Sequence, residues 1–137
     1  MPRSMMRAAG AWILAAALAA GLSGIAAAHA ATFDTSLTLR RSPTGTVAPG
    51  TTVVFKGRLL SDNDRCVRNS RIQLILVGQG VVAKTRTDGR GRYSFEQVVN
   101  ETSRWRTRFK GKVLTAEHPH NHTCASSRSD VVRVRVA

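Results

Sequence analysis

From residue 31 onward, apolar side chains recur at every second position, and a period of two is the pleat of a β-strand. In "TTVVFKGRLL", Val53, Phe55 and Leu59 fall on one side and Lys56 and Arg58 on the other. "RIQLILV" sets Ile72, Leu74 and Leu76 together, and "FDTSLTLR" does the same with Phe33, Leu37 and Leu39. "RWRTRFK" places Trp105, Thr107 and Phe109 opposite Arg104, Arg106, Arg108 and Lys110. "DVVRVRVA" ends the chain with Val132, Val134 and Val136 opposite Arg133 and Arg135. No stretch of this region carries a helical period. One apolar face per strand, with a wet face opposite, is how an antiparallel sheet reads when it covers a core on one side.

Turn signals punctuate these runs. "RSPTGTVAPGT" (41–51) reads as a Pro/Gly linker, and "GQG" (78–80) as hairpin chemistry. "GVVAKTRTDGRGRYSFEQV" reads as a second hairpin, with Asp88-Gly89 supplying the positive φ of a tight turn. About seven short strands in roughly a hundred residues with regular turns predict an all-β, antiparallel two-sheet sandwich. A small barrel is the alternative.

The first thirty residues are of another kind. Arg3 and Arg7 precede a nearly uncharged apolar run from Ala8 to Ile25, and "AHA" (28–30) puts small residues where a signal peptidase reads. The expectation is a helical signal peptide over 1–30, cleaved after Ala30, and one domain over 31–137. An uncleaved membrane anchor is the alternative. The exported chain would touch a membrane only through that peptide before cleavage.

Compartment then decides how the two cysteines read. Cys66 and Cys124 both lie in the exported part, and an even count in an oxidising compartment predicts one disulfide. A reactive thiol or a metal pair is the other reading. Export also removes Arg3 and Arg7, leaving 19 basic against 8 acidic residues, a net +11. Such a balance makes contact with anionic polymers the default behaviour. Arginine dominates lysine, as a GC-rich genome writes even without selection for binding.

The order "VVFKGRL", "RIQLILVGQGVVAKTRTDGRGRYSF", "WRTRFKG" and "CASSRSDVVRVRV" resembles the bacterial immunoglobulin-like domains of secreted and surface proteins. In those, a "G.L" strand, a "T…DG.Y.F" hairpin, a "Y.A.F.G" strand and a final "S..V.V.V" strand recur. Trp105 here takes the place of the usual tyrosine. The hairpin motif is shared with transthyretin-like and carboxypeptidase-regulatory modules, which are also sandwiches. The resemblance covers most of residues 50–137. It implies a single immunoglobulin-like β-sandwich acting as a stalk, spacer or adhesive unit. Such units usually occur in repeats, and only one is present here.

That fold would pair the last two strands in one sheet, beside the strand assigned to "RIQLILV". Arg104, Arg106, Arg108, Arg133 and Arg135 would then share an outer face, with Arg71 and Gln73 nearby. Like charges directly across strands repel, so such a face either binds an anion or is a solvated surface that also guards against edge aggregation. The planar fork of arginine suits phosphate and carboxylate groups. Outside a cell this points to an anionic polymer of the envelope or matrix: a teichoic-type chain, polysaccharide, lipid headgroups or extracellular DNA. Dedicated nucleic-acid readers expose aromatics for stacking. Here Trp105 and Phe109 point inward, which argues against a specific nucleic-acid role.

A second constellation is "EHPHNHTC", in which His118, His120 and His122 alternate before Cys124. Neutral imidazoles are good zinc, copper or nickel ligands, with Glu117 a further candidate. Pro119 and Asn121 suggest a loop, so the shared direction is open and an ordinary polar loop is the other reading. In an immunoglobulin-like sandwich that loop lies at the same end as "SDNDRCVRNS", where Asp62 and Asp64 make a calcium site conceivable without the spaced ligand series of a dedicated loop. A protein partner could also meet this loop end. Catalysis has no footing: no strand-turn motif presents a nucleophile, no paired carboxylates are visible, and neither glycine-rich segment opens a helix to cradle phosphate. No cofactor is implied.

Overall fold

The structure is a computed structural model that describes residues 31–115 and 121–137. The leader expected over 1–30 lies outside the described residues, as do Glu117, His118 and His120. The first strand expected, 33–40, is three short pieces: β1 (Thr32–Phe33), β2 (Ser36–Leu37) and β3 (Arg40–Ser42). They are split because the chain changes partners. β1 runs parallel to the late strand β10, whereas β2 and β3 pair antiparallel with β4 (Thr51–Leu60). Thr35 seals the first change by donating through Oγ1 to the Ala125 carbonyl at 2.8 Å. Beyond Ser42 the 41–51 stretch is more than a linker, since Val47 bridges in parallel to Val136.

β4 carries the alternation farthest. Val53, Phe55 and Leu59 are fully buried, as the period requires. A four-residue helix, α1 (Asp64–Val67), follows where only a loop was expected. The Asn63 side chain caps it by accepting from the Arg65 N–H, so Asp64 opens a helical turn. β5 (Arg71–Leu76) then forms a hairpin with β6 (Gly80–Arg86), and β7 (Arg92–Val99) returns to pair with β4 over eight residues. β8 (Ser103–Phe109) lies on the other side of β5. β9 (Lys112–Thr115) and β10 (Asn121–Cys124) are an antiparallel pair, and β11 (Ser127–Arg128) and β12 (Val132–Val134) both pair with β8.

Two sheets result, ordered β2/β3–β4–β7 and β11/β12–β8–β5–β6, with β1–β10–β9 as a small third sheet. The expected β6–β7 hairpin does not form. β6 pairs with β5 and β7 with β4, so the 88–91 turn carries the chain from one sheet to the other. β6 folds back on β5 through the Gly78–Gly80 turn, and β7 takes eight residues of pairing with β4 in preference to the remaining edge of β6. The Asp88 carboxylate organises the crossing by accepting from the Arg90 and Arg92 N–H groups at 2.9 Å each, bonds that hold it below the usual carboxylate range. The positive φ falls on Gly91 (79°), not Gly89, and a Cβ there would overlap the Leu59 carbonyl oxygen.

Between the sheets, Phe55 of β4 packs on Trp105 of β8 at 4.9 Å between centroids. Polar groups in this core are paired in a chain. The Tyr93 hydroxyl donates to the Thr38 carbonyl, which can only accept, so Thr107 Oγ1 must donate its proton to Tyr93 at 2.7 Å. Burial, its largest cause, pushes the Tyr93 phenol up to about 12, although the Thr107 hydrogen bond pulls the other way. Gly57 sits at the inward position where this network crosses, and a Cβ there would overlap both the Thr38 oxygen and the Tyr93 hydroxyl.

Candidate anion-binding face

Strand alternation sends every lysine and arginine of β5, β6, β8, β11 and β12 to one outer surface. They are Arg71, Lys84, Arg86, Arg104, Arg106, Arg108, Arg128 and Arg133, and the five strands hold no acidic residue. Alternate residues on a strand stand about 6.8 Å apart and neighbouring strands about 4.8 Å apart. The surface is therefore a two-dimensional lattice of cations. Register sharpens it: Arg104 faces Arg133, Arg108 faces Arg128, and Arg71 faces Arg86 directly across the strands.

Four of the five arginines expected on this face are thus brought together on paired strands. Arg135 is the exception, one pair beyond the β12 register, where its carbonyl accepts from the Val47 N–H at 2.9 Å. Three members were missed: Lys84, Arg86 and Arg128. The period-two placement of Lys84 and Arg86 in "AKTR" was a readable signal, masked by pairing β6 with the wrong strand.

Few of these side chains are engaged. Arg108 donates from Nε and Nη2 to Gln73 Oε1 at 3.0 and 2.9 Å, and Arg86 donates to the Asn69 carbonyl at 3.1 Å. The other six make no side-chain hydrogen bond or ion pair among the described residues. Asp130, in the break between β11 and β12, forms no ion pair with them; among the described residues the ion pair present is Arg92–Asp88 at 2.8 Å. Gln73, on the same outer face, is nevertheless 7% exposed. Its cross-strand neighbours Lys84 and Arg108 cover it with their long stems.

At the loop end the expected disulfide is present. Cys66 of α1 and Cys124 of β10 are bonded with Cα atoms 5.6 Å apart, within the usual span. The bridge ties α1 to the β9–β10 pair, and Lys112 reinforces it. Its Nζ donates to the carbonyls of Arg65 and Arg68 at 2.9 and 3.0 Å, answering the open C-terminal end of α1. Burial first, then the charges of Arg68, Arg65 and Arg86, holds the Lys112 ammonium below its ordinary range.

The segment expected as a loop around Asn121 is strand β10, because β9 and β1 supply it with partners on both edges. His122 packs edge-on against Phe33 at 5.6 Å, and its Nδ1 accepts from the Ala31 N–H at 3.3 Å. That nitrogen is engaged in joining β1 to the hairpin. Among the described residues no three His, Cys, Asp or Glu side chains are grouped to hold a metal, and no helix is long and apolar enough to cross a membrane.

No protein-family model matches the sequence, and no curated protein matches it. Among solved structures the chain is similar to the crystal structure of CHIR-AB1, an immunoglobulin-like receptor, with a TM-score of 0.51 at 19% identity. The match covers 74% of this chain and 98% of that one. The likeness shows the fold, an immunoglobulin-like β-sandwich. Antibody domains pin their two sheets with a disulfide between the second and sixth strands of the fold. Here Phe55 and Trp105 pack across the strands in those places, and the disulfide has moved to the loop end.

Proposed function

We propose that this is an exported, non-catalytic immunoglobulin-like binding module of the bacterial secreted type, taking an anionic envelope or matrix polymer on the outer face of its β6–β5–β8–β11/β12 sheet. The observation that carries this reading is the lattice itself: eight cations on five strands without one acidic residue among them. Three pairs of arginines directly opposite one another work against the fold, each by up to about 1 kcal/mol. A chain of anions laid along the strands would turn that repulsion into attraction. The disulfide, a bond of oxidising compartments, supports export, with the leader removed after Ala30.

The test is binding of the purified protein to a panel of polyanions across a salt series, beside a variant carrying Arg104→Ser, Arg106→Ser and Arg108→Ser. Selective binding of one polymer by the parent, with weaker binding and a shallower salt slope in the variant, is the expected result. Equal and indiscriminate weak binding by both proteins would make the lattice a solvated surface.

A further inference from the structure

The basic face is not uniform along its strands. Toward the disulfide end it closes into a concavity of about 350 Å3, lined by Arg71, Gln73, Arg86 and Lys110 among others and, among the described residues, by no acidic side chain. Arg71 and Arg86 oppose one another from β5 and β6, and Lys110 follows directly on β8. Arg86 is oriented by its bond to the carbonyl of Asn69, a residue held at φ 50°.

Gln73 is the unusual member. It is more than nine-tenths buried, and its Oε1 receives both Arg108 hydrogen bonds. A guanidinium has donors and no acceptor, so those bonds settle which end of the amide is oxygen. The NH2 end is directed away from Arg108 and has no hydrogen-bond partner among the described residues. A buried donor left unpaired is costly, and native structures rarely carry one without a reason.

We propose that this concavity seats a single tetrahedral oxyanion, a phosphate or sulfate group of the bound polymer, with the Gln73 amide nitrogen as its buried donor and Arg71, Arg86 and Lys110 supplying charge. This rests on the anionic-polymer reading and gives it a point of specificity. Donors from β5, from β6 and from the chain beyond β8 close on the ligand from different sides. A tetrahedral group presents oxygens in several directions and can meet them all, whereas a flat carboxylate is satisfied by one arginine fork. The opposite end of the face has no such floor. There Arg104 and Arg133 border a groove with Val77, Thr102 and Ser103, none of them buried. That end offers charge alone.

The experiment titrates the purified protein with inorganic phosphate, inorganic sulfate and acetate at constant ionic strength, then with polyphosphate, a sulfated polysaccharide and polyglutamate. Gln73→Glu keeps an acceptor for Arg108 while removing the amide donor. Ile75→Glu, two residues along the same face of β5, makes the same change in charge and serves as its control. Phosphate or sulfate should bind more tightly than acetate. Gln73→Glu should lower that affinity about tenfold or more, and Ile75→Glu about threefold or less, with both variants melting cooperatively. Whichever of polyphosphate and sulfated polysaccharide shares the Gln73 dependence identifies the source of the group. Polymer binding that is indifferent to Gln73→Glu, or no stronger for phosphate and sulfate than for acetate, would overturn the seat and leave the polymer face standing. Gln73-dependent binding of the small ions with no polymer bound would keep the seat and remove the polymer. Absence of all binding would remove both.

Discussion

The two outer faces of the sandwich carry cations in different states. On the outer face of the β2/β3–β4–β7 sheet stand Arg40, Lys56, Arg58 and Arg92, with Glu96 among them, whereas Arg41 lies opposite Phe55 on the inner side. Two of these four have work within the fold: Arg58 donates to the carbonyl of Arg90 and Arg92 to Asp88. On the other sheet, among the described residues, Arg86 and Arg108 of eight are engaged, and both bonds end at residues lining one concavity. Composition alone would load both faces with arginine. It does not explain why one face ties half of its cations into turns while the other, among the described residues, leaves six of eight without a partner. Net charge is therefore a poor guide to a binding surface, and the state of each cation is a better one.

The largest effect should come from setting the faces against each other. Removing Arg104, Arg106 and Arg108 should weaken polymer binding about a hundredfold at 0.1 M salt and reduce the salt slope by about two to three. Replacing Arg40, Lys56 and Arg58 with serine removes equal charge from the opposite face and should cost about threefold or less. Equal losses from both triples would mean that only net charge matters, and the comparison would collapse.

A somewhat smaller effect concerns the side chain that joins the faces. Tyr93 of β7 links Thr38 on one sheet to Thr107 on the other. Its proton is held to about 12 in the folded protein against 10.0 ordinarily. Between those values the unfolded chain has lost a proton that the folded chain keeps. Stability from Tyr93 is therefore complete below about pH 10 and is lost as pH rises toward 12, on the order of 2–3 kcal/mol. Chemical denaturation at a series of alkaline pH values should show this decline, and Tyr93→Phe should flatten it. The same variant, measured at neutral pH, should leave polymer affinity close to that of the parent.

The smallest expected effect separates stability from binding on a single residue. Arg104→Glu turns the facing pair with Arg133 from repulsive to attractive and should stabilise the fold by about 0.2–1 kcal/mol at low salt, fading as salt is added. Polymer affinity should fall in the same variant. A loss of stability instead would show that the Arg104–Arg133 pair is not strained, and would weaken the contrast between the faces.

Much of this was legible before the fold was known, and the boundary is physical. The side-chain period of a strand is local, so the inward placement of Val53, Phe55, Ile72, Leu74, Trp105, Phe109 and Val134 could be read residue by residue, and so could the outward placement of the arginines. Two cysteines leave one intramolecular pairing, which made Cys66–Cys124 readable too. Strand partnership is not local. "TDGRG" has the composition of a hairpin turn and yet links two sheets, because β5 and β4 compete for the strands on either side of it. "NHTC" carries a loop signature and becomes β10, because β1 and β9 lie on either side.

What the sequence determined by itself was therefore the strand class of the longer elements, the inward placement of the core side chains, the disulfide and the excess of positive charge. Each follows from covalent order or from the two-residue repeat of the pleat. Tertiary structure alone decided that Lys84, Arg86 and Arg128 join the lattice, and that Gln73 lies buried beneath cations with its amide nitrogen unpaired among the described residues. Those facts depend on which strands lie side by side and in what register. That choice is made by contacts between residues far apart in the chain, and no local period records them.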